Sequence, residues 1–205
     1  MSTPAVAVHL DPDSLPRGQQ ERRDRIVRAA ISLLEHGGEY DAIQMRDVAL
    51  EAGVALGTVY RYFTSKEHLY AAALLEWASN FPTREQSKRE GGRSDEDQLR
   101  TLMRRAVRAF ERYPQMMRVE IVIESSPDPN ARALFDQFAA RNVGALMSSL
   151  SSTDAETAAA IVETVNSVLA TRLRSWALGR IPIGEVDRSV QQTLDLIFGQ
   201  GDVRI

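Results

Sequence analysis

The stretch that decides the fold runs Gln44-Met45-Arg46-Asp47-Val48-Ala49-Leu50-Glu51-Ala52-Gly53-Val54-Ala55-Leu56-Gly57-Thr58-Val59-Tyr60-Arg61-Tyr62-Phe63-Thr64-Ser65-Lys66. In its first part Val48, Ala49 and Ala52 share one helical face, which predicts a short helix from Met45 to Ala52. Gly53 tolerates positive φ and suits a sharp turn out of that helix. A second short helix is expected from about Ala55 to Phe63. Short helix, tight turn, short helix is the arrangement in which one helix crosses the DNA backbone while the next enters the major groove.

The second of these helices separates its residues by face. Steps of about 100° place Val59, Tyr62 and Phe63 on one side and Gly57, Thr58, Tyr60 and Arg61 on the other. The first side packs and the second is free to meet a duplex. Arg61 can fork onto guanine O6 and N7, and the Thr58 methyl or hydroxyl can meet a thymine or a phosphate. Gly57 permits close approach, Tyr60 can donate its hydroxyl to a phosphate, and Lys66 and Arg46 supply charge at two helix starts. The competing reading is a compact three-helix bundle whose Arg46 and Arg61 are solvated. It accounts for any one residue but poorly for the set.

Working outward, Arg22 to His36 places Ile26, Ala29, Ala30, Leu33 and Leu34 at helical intervals, and Gly37-Gly38 stops that first helix. Arg22, Arg23, Arg25 and Arg28 on it are interleaved with Glu21 and Asp24, so a solvated face explains them as well as DNA steering does. Residues 1–20, with Pro4, Pro12 and Pro16, read as a disordered tail. After the motif, Thr64 and Glu67 form a capping box for a fourth helix carrying Leu69, Tyr70, Ala73, Leu74 and Trp77. Phe81 to about Asp97 is polar and reads as a loose loop. Helical patterns then cover Gln98–Tyr113, Gln115–Glu124, Ala131–Leu150, Ala155–Leu178 and Glu185–Phe198, with Thr153 and Glu156 as one cap. No alternating strand or internal repeat occurs, so the expected class is all-α: a three-helix DNA-binding head over residues 21–66 and a helical effector-binding and dimerisation body over 67–205.

Composition narrows the function. The chain has 205 residues and no cysteine, which excludes a disulfide scaffold, thiolate metal ligation and a cysteine nucleophile. No apolar run approaches the roughly 20 residues of a membrane span, so no membrane partner and a cytoplasmic location are expected. The net charge of -3 does not announce a nucleic-acid binder, so the argument for DNA rests on local residues. His9, His36 and His68 have neither metal-pair nor triad spacing. Gly37-Gly38 and Gly91-Gly92 follow no strand and precede no Lys-Ser/Thr, which argues against a phosphate loop. No catalytic residue, metal ligand or cofactor is nominated. The function classes left are a DNA-binding regulator and, as alternative, a helical protein-interaction adaptor without DNA binding.

Residues 44–49, 51–54 and 57–63 with Ser65-Lys66 resemble the signature of TetR-family regulators, and the likeness runs over roughly residues 22–75. Several linked positions at fixed spacing make it far more specific than a generic helix-turn-helix. The resemblance implies base contacts from Arg46, Leu56, Gly57, Thr58 and Arg61 and phosphate contacts from Tyr60, Tyr62 and Lys66; Gln44, which opens the motif, joins the candidate DNA-binding set. The wheel differs on Leu56 and Tyr62, which it allows simply to pack.

One head makes few phosphate contacts, so useful affinity for double-stranded DNA calls for a homodimer on two half-sites. Val165, Leu169 and Trp176 with Val190, Leu194 and Ile197 form stripes that a partner could bury, or that face the protein's own core. Similar regulators pair their final long helices. Trp77, Phe81, Met103, Phe110, Met116, Met117, Phe135, Phe138 and Met147 can line an apolar cavity or fill a core; the resemblance favours a cavity for a small hydrophobic effector. More loosely, the head with Arg61-Tyr62-Phe63 and Leu173-Arg174-Ser175-Trp176 resembles actinobacterial repressors of sterol degradation. That likeness implies a steroid or acyl-CoA thioester as effector, with Arg104, Arg105, Arg108, Arg118 and Arg141 available for phosphates or for surface ion pairs.

Overall fold

Helix periodicity and local caps build the chain, and a computed structural model describes residues 15–79 and 94–199. Among the described residues there are nine α-helices and no strand: α1 Arg17–Glu35, α2 Met45–Glu51, α3 Leu56–Tyr62, α4 Lys66–Ser79, α5 Asp95–Arg112, α6 Pro114–Glu124, α7 Pro129–Ser149, α8 Ala155–Ala177 and α9 Ile183–Phe198. The expected all-α class is therefore observed. Of the disordered tail expected over residues 1–20, residues 1–14 lie outside the described residues, as do Phe81 and most of the expected loop, while residues 17–20 are instead the first turn of α1.

Two compact units form among the described residues, one from residues 15–79 with Val119–Gln137 and one from 94–118 with 138–199. In the first, α1 packs on α2 and α4, and α2 on α3. Ile26, Ala30, Val48, Val59, Phe63, Leu69 and Leu74 are buried together with the edge-on pair Tyr40 and Tyr70. α4 is apolar nearly all round and correspondingly buried, from His68 to Trp77 except at Leu75 and Glu76. In the second unit α9 packs against α8 and α5. Arg100 of α5 ties that packing, its guanidinium lying 2.7 Å from both Glu96 and Asp195 and bonding the Gln191 side chain at 3.2 Å.

Several helix starts and caps differ from the sequence reading. α1 begins at Arg17, five residues before Arg22, because Pro16 sits at its N-cap and Arg17 pairs with Glu21 at 3.1 Å; its first turn has no apolar periodicity to announce it. α5 begins at Asp95 rather than Gln98, capped by the Ser94 hydroxyl, which accepts the Asp97 N–H at 3.1 Å. The acidic triplet taken for loop is its first turn, where the helix dipole favours negative charge. The cap of α4 is Ser65, not Thr64: the Ser65 Oγ accepts the His68 N–H at 3.0 Å while Thr64 turns its hydroxyl elsewhere. Likewise Asp154 rather than Thr153 caps α8, accepting the Thr157 N–H at 3.0 Å, and Thr153 donates to Asp95.

Candidate nucleic-acid interface

The turn between α2 and α3 is closed by backbone alone. Gly53 sits at φ +64°, and the Gly53 and Val54 amides return to the Leu50 and Ala49 carbonyls at 3.1 and 2.9 Å. α2 opens with the Gln44 N–H donating to the Asp47 carboxylate at 2.8 Å. With both ends fixed, α3 buries Val59 and Tyr62 against α2 and exposes the other side.

That exposed side carries most of the predicted set. Gln44, Arg46, Leu56, Gly57, Tyr60 and Arg61 are exposed and Thr58 is partly so. The Arg46 side chain is 71 % exposed and only 3.7 Å from Asp47, a weak solvated pairing that leaves its guanidinium reachable. Leu56 at 42 % and Tyr60 at 52 % are large side chains left in water, and so is Leu50 of α2 at 84 %, which sequence reasoning passed over. A Cβ built on Gly57 would meet nothing within 4 Å, so the protomer's own packing gives no reason for glycine there. Tyr62, by contrast, is only 6 % exposed and its ring belongs to the core, as the wheel has it.

Lys66 is also engaged. Its ammonium donates to the Tyr40 carbonyl and lies 4.1 Å from the centre of the Tyr40 ring. Desolvation by burial pushes its pKa down, against the nearby carboxylates Asp41, Glu67 and Asp47.

Behind the interface, the joint between α3 and α4 is held from a distant part of the chain. Asp128, in the loop between α6 and α7, accepts the Thr64 hydroxyl at 2.9 Å, the Ser65 hydroxyl, and the Asn130 N–H at 2.8 Å. Partial burial pushes its carboxyl up, but those bonds and the neighbouring His68 outweigh burial and hold it below the usual carboxylate range.

Two family models cover nearly all of the described chain: bacterial regulatory proteins of the tetR family over residues 26–73, and the tetracyclin repressor-like C-terminal domain over residues 92–197. The chain belongs to the TetR family. It is similar to the HTH-type transcriptional repressor KstR of Rhodococcus jostii (strain RHA1), with 33% identity covering 99% of this chain and 95% of that protein. Its fold matches a TetR transcriptional regulator from Rhodococcus sp. RHA1 at a TM-score of 0.67 and 25% identity, over 93% of this chain and 100% of the other. It also matches the fold of Thermus thermophilus FadR, solved in complex with lauroyl-CoA, at a TM-score of 0.66 and 22% identity, over 89% and 96% of the two chains. As a TetR-type transcriptional regulator the chain is a helix-turn-helix DNA-binding protein and not an enzyme. No helix among the described residues is long and apolar enough to cross a membrane.

The residues read as an effector pocket are divided between the two units. Trp77 and the partly exposed Phe135 lie in the first, and the buried Met103, Phe110, Met116, Met117 and Phe138 in the second. Met147, also in the second, is partly exposed. In the second unit an open cleft of about 220 Å³ lies beside Arg104, Val107, Arg108, Ile183 and Asp187, with none of those apolar candidates on its wall. The dimer candidates are divided too. Val165, Leu169, Val190 and Leu194 are buried within the protomer where α8 meets α9, because each stripe covers the other. Trp176 and Ile197 remain partly exposed, next to the exposed Leu178 and Leu196.

Proposed function

We propose that this TetR-family regulator is a repressor that binds a palindromic operator as a homodimer and leaves it when a small apolar effector occupies the helical body. The observation that carries the reading is the division of α3: Val59 and Tyr62 buried, and Leu56, Gly57, Tyr60 and Arg61 turned to solvent, with Arg46 exposed on α2. Arg61, Arg46 and Thr58 supply base-reading groups, Gly57 permits close approach, and Tyr60 and Gln44 reach phosphates. Tyr62 and Lys66 support these contacts from behind, since one is packed and the other holds Tyr40.

Two heads are required to reach useful affinity, and the surface apolar groups on α8, at its C-cap and on α9, namely Trp176, Leu178, Leu196 and Ile197, give a second protomer something to bury. The effector class follows from likeness: the sterol-repressor resemblance and the lauroyl-CoA held by the Thermus thermophilus FadR point to an acyl-CoA thioester or a steroid. Effector binding changes the slope of α4 and separates the heads, so that the half-site spacing no longer fits.

Capture of random genomic fragments by the purified chain at two salt concentrations tests the reading. A shared palindrome with salt-sensitive protection is expected, and the Arg61→Ala variant should lose preference at one base position of each half-site by about 1–3 kcal/mol. A helical adaptor would select no sequence at either salt concentration.

A further inference from the structure

The connection between the reading helix and α4 consists of Phe63, Thr64 and Ser65. Each is held by something outside the helix-turn-helix. The Phe63 ring is fully buried, edge-on to His68 at 5.2 Å, with the Arg23 guanidinium of α1 5.3 Å from its centre. The Thr64 N–H donates to His68 Nδ1 at 3.1 Å, and its hydroxyl donates to Asp128 and accepts from the Asn130 side-chain amide at 3.2 Å. Ser65 uses one oxygen twice: it accepts the His68 N–H as the cap of α4 and donates its proton to Asp128.

Asp128 therefore collects two of the three residues of the joint, Thr64 and Ser65. It stands 63 and 64 positions away from them in sequence, on the segment 119–137 that packs as one unit with the head. Its own geometry is fixed in turn, since it accepts the Asn130 N–H and its N–H meets the Ser126 hydroxyl at 3.2 Å.

We infer that Asp128 is a positioning residue for DNA recognition, which by gripping Thr64 and Ser65 sets the angle at which α3 leaves α4. It thereby makes the loop between α6 and α7 a handle on the reading helix. The inference rests on the proposed function for what the reading helix binds, but its geometric content stands apart from that. A three-residue joint without this grip samples more orientations, and docking in the groove must then restore the lost order. Hydrogen bonds that share atoms also depend on one another, so removing Asp128 releases both bonds of the grip, and removing the Ser65 hydroxyl weakens the one that Thr64 keeps.

The test uses the full-length chain as wild type, Asp128→Ala, Asp128→Asn, Ser65→Ala and the double variant Ser65→Ala/Asp128→Ala. Affinity is measured on the palindrome that the wild type selects, and amide exchange is followed without DNA. Asp128→Ala and Ser65→Ala should each weaken binding roughly tenfold, and the double variant by clearly less than the product of the two, because they share one bond. Ser65→Ala alters no charge and so controls for loss of a carboxylate near phosphate, while Asp128→Ala leaves the Ser65 cap of α4 in place and so controls for loss of that cap. Asp128→Asn, which keeps an acceptor, should fall between wild type and Asp128→Ala. The slope of affinity against salt should not change, as no phosphate contact is removed. Amides 64–69 should exchange faster in the variants while those of α8 and α9 do not.

Binding of Asp128→Ala within about twofold of wild type, or single effects that multiply in the double variant, would overturn the inference. So would faster exchange spread evenly over both units, the mark of general destabilisation. Should the wild type select no DNA at all, the regulator reading fails, and the exchange pattern by itself decides whether Asp128 holds the joint.

Discussion

The two joints that bound α3 are built on opposite plans. The turn before it needs only its own neighbourhood: a glycine at positive φ and two backbone bonds from residues 53 and 54 to residues 50 and 49. The joint after it has no regular turn of its own. It is held by His68 from within α4, by Arg23 from α1 and by Asp128 from the loop between α6 and α7. A recognition helix fixed at its front by local geometry and at its back by long-range contacts can be rigid as a reader and still be addressed from elsewhere in the chain. The front joint sets what α3 packs on; the back joint sets where it points.

The most disruptive way to break this contrast is Phe63→Ala. Phe63 is fully buried at the back joint, so the change should cost about 3–5 kcal/mol and unfold the head. Thermal denaturation followed by tryptophan fluorescence and by helix content would report it, Trp77 lying buried in the same unit. Gly53→Val attacks the front joint alone. A β-branched residue at φ +64° should cost about 2 kcal/mol or somewhat more, lower the melting temperature and abolish operator binding, with the contacts of Asp128 unaffected.

The back joint can be loosened by acid. A carboxyl held below its ordinary value stabilises the fold at every pH above that ordinary value, and the contribution fades as pH falls through the folded value. The grip of Asp128 should thus be intact at neutral pH and lost only below about pH 4. Ser65→Ala removes one of the bonds that hold the carboxyl down, so the loss should begin at higher pH than in wild type. Carboxyl chemical shifts followed through an acid titration would check both statements.

The smallest expected effect is the most discriminating. Gly57→Ala fills open space in the first turn of α3 and should stabilise the helix by about 0.5–1 kcal/mol. If glycine is there so that another molecule can approach, the same variant must bind the operator more weakly. A rise in melting temperature with a fall in affinity separates that reading from a packing role.

The contrast between the joints also explains how much of the molecule could be read from its sequence. The helix-turn-helix was legible because its determinants are neighbours: Val48 and Ala49 on one helix, Gly53 in the turn, Val59 and Tyr62 on the next. Local competition blurred the caps, since Thr64 and Ser65 are both competent and only the fold commits Thr64 to Asp128 and leaves Ser65 at the helix start. Asp128 itself gave no signal, because a lone aspartate after a proline looks like any turn residue until a distant part of the chain meets it. The stripes on α8 and α9 show a different limit. Periodicity marks Val165, Leu169, Val190 and Leu194 as buried without saying by what, and the structure answers that the two helices bury one another. The effector candidates share that ambiguity, as methionine and phenylalanine serve a core and a cavity equally well.

The central claim, that the exposed side of α3 reads DNA, is tested most directly by the salt dependence of binding to the selected palindrome and to a scrambled duplex. The account predicts affinity falling steeply with salt on both, by about 0.9 in log–log slope per phosphate neutralised, with the palindrome preferred by on the order of a thousandfold or more. A shallow slope with equal affinity for both duplexes would contradict it.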